Sequence, residues 1–165
     1  MSPAGTPSAG RWFALAAAIA IADQAVKAVV LARFTLGERL ELTPFLNLVL
    51  VFNKGAAFSF LAGADGWQTP VLVAFAVAAA AFLGWMIRRD PGKRLLATGL
   101  SLVLGGAVGN LVDRIRLGAV VDFVDFHAAG WHFAAFNVAD SAITVGAALL
   151  LYEGFIHDER PRASP

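Results

Sequence analysis

Four runs of apolar residues, each long enough to cross the roughly 30 Å hydrocarbon core of a bilayer as a helix, constrain what this chain can fold into more than any other feature. They lie at about residues 12–31, 70–87, 95–112 and 138–156. Apolar residues make up 58% of the chain, a share that rises to roughly 67% with glycine counted, against ~45–50% in a soluble domain. This excludes an ordinary soluble protein and predicts one membrane-embedded domain over residues 1–165. The alanine-rich first run has the look of a signal peptide. It continues past Asp23 to about Leu31, beyond the ~7–15 residues of a signal h-region, and so reads as an uncleaved span.

The segment Arg88-Arg89-Asp90-Pro91-Gly92-Lys93-Arg94 between the second and third runs is densely cationic and reads as a cytoplasmic loop (88–94) by the positive-inside rule. An even number of spans then places both termini in the cytoplasm and makes residues 32–69 and 113–137 the outer loops. Within the first of these, Leu46 to Asn53 is rich in branched and aromatic residues and reads as strand, apolar on both faces and suited to the lipid surface. Trp67 and Trp131 stand near span boundaries, where an indole favours the headgroup layer. A net charge of +1 gives no basic field for nucleic acid, and the absence of cysteine removes disulfides, thiolate nucleophiles and cysteine metal sites.

Polar residues in apolar surroundings are the candidates for chemistry. Asp23 and Lys27 share a face of the first span and can form an ion pair, which either fixes packing or positions a site. Gly105 and Gly109 make a small-xxx-small face for close helix approach, and Asn110, Asp113 and Arg114 follow it as a polar knot at the outer boundary. Acidic and apolar residues alternate from Gly118 to Phe126, which alone would read as a surface strand with solvated carboxylates. Asn137 has the position of a helix N-cap and Asp140 lies three residues on, in the first turn of the fourth span. Asn53 and Gly55 alone would be turn residues. His127, His132 and His157 lack metal-ligand spacing, and no metal or other cofactor is expected.

Taken in order, the motifs Asp23-Gln24-x-x-Lys27, Asn53-x-Gly55-Ala56-Ala57-Phe58-Ser59, Gly105-Gly106-Ala107-x-Gly109-Asn110-Leu111-x-Asp113-Arg114, Val120-Val121-Asp122-Phe123 and Phe136-Asn137-x-Ala139-Asp140 resemble those of bacterial lipoprotein signal peptidases, also called signal peptidase II or prolipoprotein signal peptidase. The resemblance runs over about residues 12–156. It implies a mainly α membrane protein, four transmembrane helices with a small interfacial β-sheet and a short helix in the outer loops. It also implies an aspartic endopeptidase of the bacterial cytoplasmic (inner) membrane that cuts prolipoproteins before a diacylglyceryl-modified Cys near the outer leaflet. By that resemblance Asp122 and Asp140 fall on the catalytic pair. Asp23, Lys27, Asn53, Gly55, Gly109, Asn110, Asp113, Arg114, Asn137 and Ala139 fall on positions that support the site or bind substrate. The implied partners are prolipoproteins and membrane lipids, with the chain acting as a monomer.

Elementary chemistry agrees with this assignment. Without cysteine, a metal or a plausible Ser and His pair, two carboxylates are the simplest apparatus for amide hydrolysis, one ionised to take a proton from water and one protonated to polarise the carbonyl. The first turn of a helix favours negative charge, so Asp140 is expected to be ionised and Asp122 to hold the shared proton. Arg114 is expected to hold a loop backbone or carboxylate near the pair. Two other readings compete: a proton-coupled transporter, which would need ionisable groups at successive depths that spans two and three lack, and a noncatalytic scaffold, in which Asp122 and Asp140 would be dispensable.

Overall fold

In the computed structural model, which describes residues 8–55, 67–128 and 130–158, the four apolar runs are four long helices. They are α1 (Gly10–Arg33), α2 (Gln68–Arg89), α3 (Arg94–Leu117) and α4 (Val138–Asp158). Their apolar stretches reach mean hydropathies of 1.8, 2.2, 1.8 and 1.3, and they expose large side chains such as Ile21, Phe75, Phe82, Leu151 and Phe155. An unbroken apolar surface of this kind is stable only against lipid. The chain is a multi-pass membrane protein.

Half of the apolar stretch of α3 is buried, against about a fifth in the other three helices, because α1, α2 and α4 all pack against it. Lipid tails are as apolar as leucine, so close contact here has to come from small residues. A Cβ at Gly105 would lie 2.6 Å from the Ala16 carbonyl oxygen of α1, and one at Gly106 would collide with the Ala139 carbonyl oxygen of α4. Lower down, Gly99 and Gly146 let the α3 and α4 backbones approach in the same way.

At the opposite end of the bundle from the cationic turn, β1 (Arg39–Thr43), β2 (Leu46–Asn53), β3 (Val120–Ala128) and β4 (Trp131–His132) form an antiparallel sheet in the order β1-β2-β3-β4. The β2–β3 register joins segments distant in sequence and places Val51 opposite Asp122 and Asn47 opposite Asp125. Val121 and Phe123 pack with Leu50 and with Val30 of α1, which roots the sheet in the bundle.

One expectation needs correction. The helix α3 does not stop near residue 112 but runs through Leu117, ending at Gly118 in the left-handed conformation with φ of 72°. Asp113 and Arg114 are therefore helical, and they leave the helix intact because protein groups satisfy them. In the segment from Gly118 to Phe126, which taken alone would read as a solvated surface strand, Asp122 and Asp125 are both buried. The expected short helix has no counterpart among the described residues of the outer loops. Residues 56–66, which include the Ala56-Ala57-Phe58-Ser59 part of a motif, lie outside them.

Candidate active site

Asp122 comes from β3 and Asp140 from the first turn of α4, and two asparagines join them. The Asn137 side chain caps α4, its Oδ1 accepting the Asp140 N–H at 2.9 Å. That bond fixes the amide orientation, so Asn137 Nδ2 donates to Asp122 Oδ1 at 2.7 Å and to the Val121 carbonyl at 3.2 Å. Asn110 on α3 is oriented from the other side. Its Oδ1 accepts from Lys27 Nζ at 3.0 Å, which turns Nδ2 toward Asp140 Oδ1 at 2.8 Å.

Beneath the asparagines lies a buried ionic cluster. Lys27 spends its three ammonium donors on Asn110, on Asp23 at 2.8 Å and on Asp113 at 2.6 Å. Neither carboxylate is merely a counterion. Asp23 Oδ1 accepts the Ala139 N–H at 2.9 Å and ties α1 to the start of α4, while Asp113 Oδ2 accepts the Val121 N–H at 3.1 Å and ties α3 to the strand that carries Asp122. At Gly109 a Cβ would stand 2.6 Å from Asp23 Oδ2 and 3.4 Å from Ala139, so only glycine lets these groups meet. Removing one member of such a cluster typically costs ~3–5 kcal/mol, because it strands buried charge.

A third arm reaches in from the end of β2. Arg114 Nη2 donates to the Gly55 carbonyl at 3.0 Å, Gly55 N–H donates to Asn53 Oδ1 at 2.9 Å, and Asn53 Nδ2 donates to Asp122 Oδ2 at 3.2 Å. The Arg114 charge interacts most with Asp140, then with Asp122 and Asp113. Burial, and next the nearby Asp140 charge, push the Asp122 carboxyl up to about 7 against the opposing pull of Asn53, Asn137 and Lys27. Two carboxyls so arranged, each held by an amide donor, can act as an acid and base pair.

The twelve residues singled out in the sequence thus lie in one connected network. A family profile described as Signal peptidase (SPase) II matches residues 15–156. The chain belongs to the signal peptidase II family. Among curated relatives, the lipoprotein signal peptidase of Cupriavidus taiwanensis is 50% identical over 91% of this chain and 85% of its own length. That of Paraburkholderia phymatum is 47% identical over 92% and 90%. A bacterial membrane enzyme solved by the in meso method at 2.3 Å superposes with a TM-score of 0.83 at 28% identity, with 94% of each chain covered. A second, solved at 1.9 Å, gives 0.75 at 30% identity over 87% of this chain and 92% of the other.

Gln24, which stands inside the Asp23-Gln24-x-x-Lys27 motif, and His132 lie beyond the residues that the signal peptidase II resemblance placed at the site. Gln24 Nε2 donates to Asp113 Oδ1 at 2.8 Å and to the Gly109 carbonyl at 3.1 Å, bracing α1 against α3. Its signal was present in the sequence, since an amide inside an apolar span needs a partner. His132 has no metal-ligand spacing in the sequence, and in the fold its Nδ1 lies 2.9 Å from Asp125 Oδ1. Only the strand pairing brings them together.

Proposed function

We propose that this chain is an endopeptidase that removes signal peptides from prolipoproteins, hydrolysing the peptide bond before the diacylglyceryl-modified Cys, with Asp122 and Asp140 as its catalytic pair. The observation that carries the reading is the doubly oriented bridge of Asn110 and Asn137, which presents an amide donor to each carboxyl. Family membership and the relatives named lipoprotein signal peptidase supply the substrate.

In this mechanism Asp140, favoured as carboxylate by the α4 N-terminus and the Asn110 amide, takes a proton from water as the water oxygen attacks the carbonyl carbon. Asp122 donates its proton to the carbonyl oxygen. Its Oδ1 is gripped by Asn137 at 2.7 Å, so the proton resides on Oδ2, where the Asn53 contact is looser at 3.2 Å. As the tetrahedral intermediate collapses, the C–N bond breaks, Asp140 passes its proton to the departing Cys amine, and Asp122 recovers one from the intermediate's hydroxyl. The products are a signal peptide carboxylate and a lipoprotein with a free N-terminal Cys.

The sheet end of the bundle lies at the outer leaflet of the bacterial inner membrane in this reading, and the Arg88 to Arg94 turn and both termini lie in the cytoplasm. The cationic turn supports that orientation. The scissile bond joins a membrane-spanning signal helix to a lipid-anchored Cys, which places it at the depth of the pair. The enzyme acts as a monomer, amid membrane lipids. Purified protein incubated with a diacylglyceryl-modified prolipoprotein should release a shortened product on a gel. The same precursor without its lipid should be cut far more slowly, and failure on the lipidated substrate would refute the assignment.

A further inference from the structure

Asp122 and Asp140 are linked through residues 123–139, and the described part of that link is a hairpin folded back on β3. The turn uses Gly130 at φ of 83°. On the return, Phe133 N–H donates to the Phe126 carbonyl at 2.8 Å, and Phe136 exchanges backbone hydrogen bonds with Val124 at 2.9 and 3.0 Å. The next residue is Asn137, which holds Asp122 and caps the helix of Asp140. The hairpin therefore sets the distance between the two carboxyls.

Across its arms lies a charged cluster that the reaction itself does not use. Asp125, buried and three residues beyond Asp122 on β3, directs its carboxylate to the opposite face. It meets His132 Nδ1 of β4 at 2.9 and 3.0 Å, Asn47 Nδ2 of β2 at 2.9 Å and Arg39 Nη2 of β1 at 3.7 Å. The His127 ring stacks on His132 with centroids 5.2 Å apart. One carboxylate thus holds all four strands, including the return arm.

We propose that Asp125 and His132 form a positioning clamp for the aspartate pair, fixing the arms of the hairpin so that Asn137 and Asp140 stay in register with Asp122. The inference rests on the catalytic reading given above and adds residues that touch neither substrate nor the reacting groups. A clamp acting through Asn137 controls the hydrogen bond that draws the Asp122 carboxyl downward against burial and the Asp140 charge. The groups facing Asp122 are Asn53, Asn137, Asp140 and Lys27, and those facing Asp125 are Arg39, Asn47 and His132.

The test compares His132→Phe, which keeps a stacking ring without a donor, with His132→Gln, which keeps a donor. In the cleavage assay His132→Phe should lose about tenfold in kcat, the scale of one charge-assisted hydrogen bond, with KM unchanged, and the alkaline limb of its pH profile should move upward. His132→Gln should recover most of the rate. Hydrogen exchange, read without any substrate, should quicken at the Phe136 and Asp140 amides in His132→Phe. Wild-type kcat with unchanged exchange at those amides in His132→Phe would overturn the clamp, and so would a loss of rate with an unshifted profile. Loss of cleavage by the wild-type protein would instead strike the catalytic reading, and exchange would still decide the clamp.

Discussion

Asp122 and Asp125 stand three residues apart on one strand, both buried, and their surroundings drive them in opposite directions. Burial and the Asp140 charge raise Asp122 to about 7; burial also pushes Asp125 up, but Asn47, His132 and Arg39 outweigh it and leave that carboxylate below its ordinary value. The sign for activity follows from Asp122. From the ordinary carboxylate range up to about 7 it keeps the proton that polarises the carbonyl in the proposed mechanism, and above that it loses it. The rate kcat/KM is expected to fall about tenfold per pH unit beyond the alkaline pKa, which belongs to the pair rather than to one residue. A profile flat from pH 6 to 9 would contradict this. Arg114 acts at the same scale through the Gly55 carbonyl. Arg114→Lys loses the planar fork, and turnover should drop roughly tenfold or more, whereas a wild-type rate would reduce the residue to a packing role. Asp125→Asn weakens the clamp but leaves Asp122 and Asp140 in place, so it should lose no more than about the tenfold of His132→Phe and keep measurable turnover, which separates the two aspartates in the same assay.

At the scale of elements, α3 decides where everything stands. Gly106 receives the Ala139 carbonyl of α4, one residue before Asp140, so a methyl group there must move the helix that carries the proposed base. Gly106→Ala should lower the thermal midpoint in detergent by the equivalent of about 1–3 kcal/mol and depress cleavage as well. Gly154→Ala, whose Cβ would meet nothing within 4 Å, should leave both unchanged. The four helices were legible in the sequence because an 18-residue apolar stretch has few alternatives. The end of α3 was not, since Asp113 and Arg114 resemble a boundary until their partners Lys27 and Gly55 are known. The strand character of residues 46–53 could be read from branched and aromatic residues. That β3 would be buried could not, because its covering comes from β2 and α1 through pairing distant in sequence.

Across the whole molecule, the network of carboxylates and amides gathers at the sheet end of the bundle, and the turn at the other end is cationic. Motif order made that gathering readable, as Asp23, Asn53, Asn110, Asp122 and Asp140 each come from a different segment. What motif order could not give was the wiring, above all that Asn110 and Asn137 are oriented by Lys27 and by the Asp140 N–H. In the proposed mechanism both carboxyls are indispensable, since an amide at position 140 cannot take the proton from water and one at position 122 cannot donate and recover a proton. The most direct test is single-turnover cleavage of a diacylglyceryl-modified prolipoprotein by wild type, Asp122→Asn and Asp140→Asn, with the product mass locating the cut. The account expects a product beginning at the modified Cys from wild type and none from either variant, both still folded in the membrane. Substantial turnover by either variant, or a cut at another bond, would contradict it.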